Sequence, residues 1–278
     1  MPELPEVETF IRELAPELNG RRITRARVFW PGVIAFPTDE EFVTAIAGAR
    51  FDRFARRGKY MLFGLDDPRT LIVHLRMTGK LQLAPAAGPP AKHEHVILDL
   101  DDGRSLHYQD PRKFGRFWLT PYPETVLAKL GPEPLGPDFT PAYLIDKLAG
   151  RKAPIKALLL DQRIVAGIGN IYADETLYRA HVHPARPAGN LRADEIARLH
   201  AAAQDVLQVA IERCGSSLGR SNLQNYIRPG GEQGGFQEEH NVFRKTGQPC
   251  PHCGHPIERM VIAQRSSHYC PVCQPDTR

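Results

Sequence analysis

Four cysteines near the end of this 278-residue chain constrain its fold more than any other feature. They form two Cys-x-x-Cys pairs, Cys250 with Cys253 and Cys270 with Cys273, and sixteen residues separate the pairs. This spacing is typical of four-cysteine zinc sites, in which each tight turn presents two thiolates to one ion. Four protein ligands leave no open coordination position, so the pattern predicts one structural Zn²⁺. Two disulfides or a redox pair are the alternative interpretations.

The remaining composition indicates a globular protein of a reducing compartment. Cys214 is the fifth cysteine and stands alone, so we expect no disulfide framework and a cytoplasmic location. Hydrophobic residues make up 42% and charged residues 24% of the chain, which excludes a wholly disordered chain and a coiled coil. No apolar run approaches the ~20 residues of a membrane helix, so we expect no membrane partner. The formal net charge of +4 is weak support for a polyanionic partner.

Hydrophobic periodicity divides the chain into a strand-rich half and a helical half. Apolar spacing predicts a helix over residues 6–18, and short alternating runs over 23–120 predict an antiparallel β-sandwich. Helical patterns follow, and strand character returns around the cysteines. The sequence therefore predicts an α+β protein with two domains. The predicted limits are 1–131 for the sandwich, 132–150 for a proline-rich linker, 151–240 for the helical domain and 241–278 for the zinc finger.

The first residues after Met1 are unusual for a helix start. Proline in second position exposes a secondary amine once the initiator methionine is removed, and such an amine can attack a sugar carbon to form an iminium. Glu3 could then serve as a general acid. The alternative is that Pro2 only stiffens the terminus and that Glu3 favours the N-terminal end of the following helix. The residues alone favour the second, structural interpretation.

Two further segments are compatible with nucleic-acid contact. The glycines of the turn at 166–170 let backbone N–H groups approach a phosphate, and Lys152 and Lys156 lie close in sequence. The turn at 110–115 places Arg112 beside Phe114, side chains that can fill a gap between bases. A purely structural role is the alternative for each segment. A basic helical turn next to a zinc finger nevertheless favours a DNA-binding protein.

Taken together, these residues resemble the bacterial formamidopyrimidine-DNA glycosylase family. MPELPEVET, DPRKFGR, VAGIGNIYADE and the terminal zinc finger occur in the family's order and extend over essentially the whole chain. The resemblance implies an N-terminal β-sandwich with an N-terminal helix, then a helical domain with a helix–two-turn–helix, then a β-hairpin zinc finger. It also implies a monomeric DNA-repair enzyme with two activities, a DNA glycosylase that excises oxidised purines and an abasic-site lyase. Its partner would be duplex DNA with oxidised bases, bound in the cleft between the domains.

The resemblance also implies a role for individual residues. Pro2 would be the nucleophile that forms a Schiff base with the sugar C1′, and Glu3 the proton donor. Lys59 would serve β-elimination, and Arg265 phosphate binding and δ-elimination. Met77, Arg112 and Phe114 would fill the void left by the extruded nucleotide, with Arg112 facing the orphaned cytosine. The other DNA-contacting positions would be His93, Lys152, Lys156 and Asn170, with Glu175 in support.

One segment departs from the family pattern, and two other functions remain as alternatives. The first half of residues 218–237, which correspond to the lesion-capping loop, lacks the expected Arg-Asp-Tyr-like sequence. The endonuclease VIII branch, which prefers oxidised pyrimidines, shares the Pro-Glu terminus and the zinc finger. A DNA-binding protein without chemistry is the second alternative, against which the four predicted catalytic residues argue. An RNA-binding role is disfavoured because the sequence shows no aromatic platform on which single-stranded bases could stack.

Overall fold

The computed structural model describes residues 2–86, 89–219 and 226–276. The chain forms two compact units. The N-terminal unit comprises Met1–Ala128 and Arg213–Gln237, and the C-terminal unit comprises Lys129–Glu212 and Glu238–Arg278. The described residues between 213 and 237 therefore cluster with the first half of the chain, although they follow the helical segment in sequence. Part of the predicted lesion-capping loop, residues 220–225, lies outside the described residues.

The N-terminal unit is built around two β-sheets, which confirms the predicted sandwich. The strands among the described residues are β1 (Ile23–Val28), β2 (Ile34–Phe36), β3 (Phe51–Arg57), β4 (Tyr60–Leu65), β5 (Thr70–His74), β6 (Lys80–Pro85), β7 (Glu94–Leu100), β8 (Arg104–Gln109) and β9 (Arg116–Thr120). One sheet has the order β1-β7-β8-β6 and the other the order β2-β9-β5-β4-β3. Neighbouring strands are antiparallel except β2 and β9, a parallel pair at one sheet edge that the sequence did not predict.

Helix α1 (Leu4–Leu18) supplies one wall of the N-terminal core. Its apolar residues at 7, 10, 14 and 18 are buried with strand residues from both sheets because they fall on one helix face. The helix begins at Leu4, two residues before the predicted start, since Pro5 fits the first turn, where a missing N–H costs nothing. Two short helices, α2 (Asp39–Ile46) and α3 (Glu124–Leu127), complete the unit.

Helices α4 (Pro141–Leu148), α5 (Ile155–Leu160), α6 (Asn170–Arg179) and α7 (Ala193–Glu212) form the C-terminal unit with the hairpin β10 (Glu258–Ile262) and β11 (Arg265–Tyr269). Helix α4 lies inside the segment predicted as a linker. A helix forms there because Thr140 caps its N-terminal end and Pro141 fits its first turn. Helix α7 is amphipathic, with buried Leu199, Ala203 and Leu207 at helical spacing. Within the described ranges, no helix has the length and apolar character needed to cross a membrane.

Candidate functional site

Pro2 and Glu3 lie buried at the N-terminal end of α1. Glu3 is the residue that precedes the first helical turn, and its N–H donates to Oε2 of Glu6 at 2.7 Å. The other carboxylate oxygen of Glu6 accepts from the N–H of Ser216 at 2.8 Å. Glu6 was not singled out from the sequence, although its position three residues after Glu3 is the capping-box signal. This buried carboxylate fixes the backbone that carries the two predicted catalytic residues.

Lys59 occupies the tight turn between β3 and β4, where it is 5% exposed. Gly58 begins this turn with φ +56°, a conformation that favours glycine. Arg56 ties the turn to α1, because its Nε donates to Glu8 Oε2 at 2.9 Å and its Nη1 to the Gly58 carbonyl at 3.2 Å. The structure thus holds the Lys59 turn against the helix that begins after Pro2 and Glu3.

His74, at the end of β5, lies near the Lys59 turn. Its ring packs edge-on against Tyr60 at a centroid distance of 4.6 Å, and its Nδ1 accepts from the N–H of Arg76 at 3.0 Å. Burial, together with the positive charges of Arg76 and Lys59, lowers the pKa of His74 to about 3. His74 is therefore a neutral imidazole at physiological pH. Nothing in the sequence singled out His74 beyond its position at a strand end.

Met77, Arg112 and Phe114, the predicted void-filling residues, come together in the structure. Nη1 of Arg112 lies 3.0 Å from the Met77 sulfur, and the Arg112 guanidinium stacks 4.6 Å from the centre of the Phe114 ring. Phe114 is 45% exposed, so its ring is accessible at the surface. His93 belongs to an adjoining loop and has φ +71°. Arg112 and Phe114 are exposed and Met77 and His93 are half-buried, so together they form an apolar and cationic tip on the N-terminal unit.

In the C-terminal unit, Lys156 and Asn170 contact the same backbone carbonyl. Lys156 Nζ donates to the Ser266 carbonyl at 2.7 Å, and Asn170 Nδ2 donates to it at 3.0 Å. Lys156 is fully buried and pairs with Asp174 Oδ1 at 2.6 Å. Lys152, by contrast, is exposed. The two lysines that the sequence presents as equivalent therefore occupy opposite environments.

Arg265 is exposed at the start of β11. The turn before it consists of Ala263 and Gln264, at φ +48° and +63°, so two non-glycine residues adopt the left-handed region. Asp174 fixes the other end of the same strand, since its Oδ2 accepts from the N–H and the Nδ1 of His268 at 3.0 Å each. Strand β11 is thereby held to α5 and α6 at two points.

Glu175 ties the chain ahead of the cysteines to α6. The carboxylate is 1% exposed and accepts from the backbone N–H groups of Asn241, Val242 and Phe243 at 2.8–3.0 Å. Burial raises the pKa of Glu175 above its ordinary value, and these three donors offset part of that shift. The supporting role inferred for Glu175 remains a prediction. Its hydrogen bonds to the backbone of residues 241–243 show how it could support the DNA-contacting residues.

The four predicted cysteine ligands converge on one point. Their sulfurs all lie within 4.8 Å of one another, with 3.8 Å between Cys250 and Cys273 and 3.5 Å between Cys253 and Cys270. A tetrahedral ion with Zn–S bonds of about 2.3 Å places its sulfurs about 3.8 Å apart, whereas a disulfide requires about 2.05 Å. The site therefore fits one zinc ion and excludes disulfides. The Tyr178 hydroxyl lies 3.2 Å from Cys250 Sγ and connects α6 to this centre.

Known proteins match this chain over most of its length. Residues 1–117 match the formamidopyrimidine-DNA glycosylase N-terminal domain, residues 130–221 the formamidopyrimidine-DNA glycosylase H2TH domain, and residues 247–275 the zinc finger found in FPG and IleRS. The chain is 50% identical over 279 aligned residues to the formamidopyrimidine-DNA glycosylase of Chloroflexus aurantiacus, covering 99% of this chain and 98% of that protein. The chain belongs to the formamidopyrimidine-DNA glycosylase family.

Solved structures give the same result. A variant of the Lactococcus lactis family member bound to DNA containing Fapy-dG is 37% identical, with a TM-score of 0.91 over 99% of this chain and 100% of that one. The wild-type L. lactis protein bound to DNA containing an oxidised pyrimidine is 38% identical, with a TM-score of 0.90 over the same shares. The predicted family, fold class, enzyme class and zinc finger are thus confirmed. The protein is a DNA glycosylase with one structural zinc site.

Proposed function

We propose that this enzyme excises oxidised purines, 8-oxoguanine and formamidopyrimidines, from duplex DNA and then cleaves the abasic strand. Membership of the family supports the glycosylase activity. The observation that carries the mechanism is the placement of Pro2 and Glu3 at the buried, capped start of α1, against which Arg56 holds the Lys59 turn. An amine and a carboxyl group thus lie at the start of α1, and an ammonium group lies on a turn that is hydrogen-bonded to the same helix.

Base removal uses the Pro2 nitrogen as the nucleophile. Once Met1 is removed, this secondary amine attacks C1′ of the damaged nucleotide, the C1′–N bond to the base breaks, and the base departs with the bonding electrons. The Pro2 nitrogen then loses its proton, which balances the proton that the departing base takes up. The C1′–O4′ bond then opens while Glu3 protonates O4′, and the nitrogen lone pair forms the C1′=N⁺ iminium. An unprocessed Met1 would leave Pro2 as an amide nitrogen without a usable lone pair.

Strand cleavage follows from the iminium, which acidifies the sugar protons. Loss of the C2′ proton expels the 3′ phosphate, and a second elimination, with loss of the C4′ proton, expels the 5′ phosphate. Water then hydrolyses the iminium and frees Pro2. We assign Lys59 to the first elimination and exposed Arg265 to phosphate binding and the second. These two side chains carry positive charge, which stabilises the departing phosphates.

The damaged nucleotide must leave the helix, because C1′ cannot be reached inside a stacked duplex. We assign Met77, Arg112 and Phe114 to the space that it vacates, since the structure presents them as one cluster. The guanidinium of Arg112 donates only, which suits the O2 and N3 acceptors of an orphaned cytosine. Unstacking the duplex is costly, and side chains that fill the gap offset part of that cost.

We call Met77, Arg112 and Phe114 the wedge, and we propose that the polar and basic residues outside it bind phosphate or support its binding. His93 lies beside the tip of the N-terminal unit, and Lys152 is exposed on the C-terminal unit. Lys156 and Asn170 hold the Ser266 carbonyl next to Arg265, so they support the phosphate-binding surface even where they do not reach a phosphate. The zinc ion would be held by the four cysteines and would keep the hairpin of Arg265 folded.

Several coarser expectations accompany this function. We propose a monomer that acts in the bacterial cytoplasm on nucleoid DNA, where reducing conditions keep the four zinc ligands as thiolates. The limits 1–131, 132–150, 151–240 and 241–278 remain a prediction of how the chain divides into functional segments. Limited proteolysis would test them, since cleavage inside a folded segment would contradict the division.

Oxidised pyrimidines are a second candidate substrate class, favoured by one observation. The L. lactis relative has been crystallised with DNA that contains an oxidised pyrimidine as well as with Fapy-dG. We place purine lesions first because DPRKFGR and the Leu4-Pro5 sequence resemble the purine-acting branch. A non-catalytic DNA-binding role is disfavoured by the buried, fixed positions of Pro2 and Glu3.

The test is to separate base excision from strand cleavage. Duplexes carrying 8-oxoguanine opposite cytosine, an oxidised pyrimidine, or a preformed abasic site are incubated with wild-type protein and with Glu3→Gln. Glu17→Gln, the same change on the same helix, is the control. We expect wild-type protein to release 8-oxoguanine and leave phosphates at both ends of the gap. Glu3→Gln should lose excision but retain part of the abasic-site cleavage. Equal loss of both activities would contradict the ring-opening role.

A further inference from the structure

Asp110 lies beneath the wedge formed by Met77, Arg112 and Phe114, and it is fully buried. The structure assigns Asp110 as the positioning residue that assembles this wedge before DNA binds, so that opposite-base discrimination depends on a carboxylate that touches no nucleotide. The inference rests on the proposed function, because it concerns the residues that would fill the vacated space. It goes beyond that function by naming what fixes them.

The carboxylate joins the loop that carries Met77 to the turn that carries Arg112 and Phe114. Oδ1 accepts from the Thr78 hydroxyl and from the N–H of Arg112 at 3.1 Å. Oδ2 accepts from the N–H groups of Phe114 and Gly115 at 2.8 and 2.9 Å. One side chain therefore bonds the residue after Met77 and the backbone of both other wedge residues.

The backbone of Asp110 adds a third loop. Its N–H donates to the His93 carbonyl at 2.9 Å, and its own carbonyl accepts from Nε2 of His95 at 2.8 Å. His93 is one of the predicted DNA-contacting residues. Asp110 thus stands at the junction of three loops whose tips carry four of the residues assigned to DNA.

These loops need such a junction because their backbones are strained. Arg76, His93 and Lys113 have φ values of +55°, +71° and +60°, in the left-handed region that side chains other than glycine rarely adopt. Arg76 and Lys113 are each next to a wedge residue in sequence, and His93 is itself predicted to contact DNA. Strained residues persist only where surrounding contacts fix them. The contacts of Asp110 are suited to that task.

Tyr108 completes the arrangement from below. Its hydroxyl donates to Asp110 Oδ2 at 3.1 Å. A Cβ at position 115 would lie 1.7 Å from that hydroxyl oxygen, and one at position 79 would lie 2.8 Å from it. Glycine is therefore required at both positions for the tyrosine to reach the carboxylate. Two otherwise unexplained glycines of the wedge loops thus have a physical reason.

The carboxylate is charged, which makes these bonds strong. Burial alone would raise the pKa of Asp110, but hydrogen bonds from Thr78 and from the N–H groups of Gly115, Arg112 and Phe114 outweigh it and hold the pKa below its ordinary value. Hydrogen bonds to an ionised acceptor are roughly twice as strong as neutral ones. The wedge consequently meets DNA already assembled, and its loops lose little further freedom on binding.

Asp110→Asn tests the inference, because the amide keeps the shape but places an NH₂ group against backbone donors. Single-turnover excision of 8-oxoguanine is measured opposite cytosine and opposite adenine, together with cleavage of a preformed abasic site. We expect the cytosine-to-adenine rate ratio to fall about tenfold, since a misplacement of about 1 Å can cost on the order of 10²-fold in rate. Abasic-site cleavage should change less than about twofold, because no paired base must be extruded.

Asp99→Asn is the matched control. Asp99 is a half-buried carboxylate of β7 that accepts from Ser105 Oγ and Arg27 Nη2 at 2.7 Å each, away from the wedge loops. It should lower the midpoint of thermal unfolding without changing the rate ratio. An equal fall of the ratio in both variants would assign the effect to general destabilisation and overturn the inference. Thr78→Val, which removes one donor, serves if Asp110→Asn does not fold, and an unchanged ratio in it would also overturn the inference.

Arg112→Ala separates this inference from the proposed function. If wild-type protein excises no lesion, or if Arg112→Ala leaves the ratio unchanged, the proposed wedge itself is wrong. If Arg112→Ala removes the ratio but Asp110→Asn does not, only the role of Asp110 is wrong. We expect the double variant Asp110→Asn/Arg112→Ala to be no worse than Arg112→Ala alone, because the two residues act on the same contact.

Discussion

The N-terminal core and the zinc hairpin reach stability by different physical means. In the N-terminal unit, α1 and both sheets bury a continuous apolar cluster that includes Phe10, Phe51 and Phe63. Around β10 and β11, the buried cluster contains Tyr178, Val242 and Ile257 together with three of the zinc-binding cysteines. The first region is stabilised by apolar area removed from water, about 25 cal/mol per Å². The second has little such area and depends on metal–thiolate bonds.

This difference matches what each region must hold. The N-terminal core supports buried residues, Pro2, Glu3 and Lys59, whose positions relative to one helix must be fixed. The hairpin presents the exposed Arg265 at the end of a two-residue turn. A small metal-stabilised element is sufficient for that purpose. The two regions should accordingly respond independently to metal removal and to core mutation.

Zinc loss should have the largest effect. We expect Cys253→Ala to lose the ion, unfold the hairpin and abolish DNA binding, since structural zinc sites supply about 10–16 kcal/mol in isolated fingers. The two tryptophans, Trp30 and Trp118, both belong to the N-terminal unit, so their fluorescence should remain native. Zinc content, duplex binding and tryptophan emission are measured, with Cys214→Ala as the control. Simultaneous loss of native emission would show that the regions are not independent.

Core truncation should give the reverse pattern. Phe63 is fully buried between Phe51 and Phe54. Phe63→Ala should lower the free energy of unfolding of the N-terminal unit by about 3–5 kcal/mol, while zinc content stays at one ion per chain. Chemical denaturation followed by tryptophan fluorescence measures the change. Phe36→Ala, at a position 53% exposed, should cost far less. Comparable losses in the two variants would contradict the packing described.

Breaking the buried ion pair of the C-terminal unit should have a smaller but clear effect. Lys156→Met leaves Asp174 buried without its cation and should cost about 3 kcal/mol. The same change at exposed Lys152 should be nearly neutral for stability. Hydrogen exchange of strand Arg265–Tyr269 is the readout, because Lys156 bonds the Ser266 carbonyl. Equal exchange rates in both variants would show that the pair does not hold this strand.

The pH dependence of stability should be the smallest effect when it is taken per unit of pH. Folded His74 has a pKa of about 3, whereas the pKa of an unfolded histidine is ~6.5. Between these values the unfolded chain binds the additional proton, so the free energy of unfolding falls as the pH decreases from 6.5 towards 3. His74→Asn should reduce this slope by up to about 1.4 kcal/mol per pH unit. Unfolding midpoints at a series of pH values measure it, and an unchanged slope would contradict the buried neutral ring.

Local signals in the sequence predicted most of the fold. The cysteine spacing predicted the zinc site because ligand geometry is encoded within two tight turns. Periodicity predicted α1, the sandwich and α7. Helix α4 was missed because Pro141, one of the prolines that suggested a linker, instead occupies its first turn. The parallel pairing of β2 with β9 depends on residues about eighty positions apart, which no local pattern reveals.

The candidate site was predicted less completely. The wedge residues came from the resemblance, but Asp110 and Glu6, which fix the backbones of the wedge and of Glu3, act through hydrogen bonds between distant segments. Lys156 illustrates the same limit. Its sequence neighbourhood suggests a surface cation, and only the fold reveals Asp174 beside it. Tertiary contacts decide which charged residues face solvent, and sequence distance does not encode them.

Covalent trapping tests the central claim most directly. The protein is incubated with borohydride and a duplex carrying 8-oxoguanine opposite cytosine, beside a duplex with an oxidised pyrimidine. The adduct is digested and sequenced by mass spectrometry, after the N-terminal residue of the sample has been determined. We predict an adduct on the Pro2 nitrogen, formed faster with 8-oxoguanine and strongly reduced in Pro2→Gly. An adduct on another residue, or one that forms at an unchanged rate in Pro2→Gly, would contradict this mechanism.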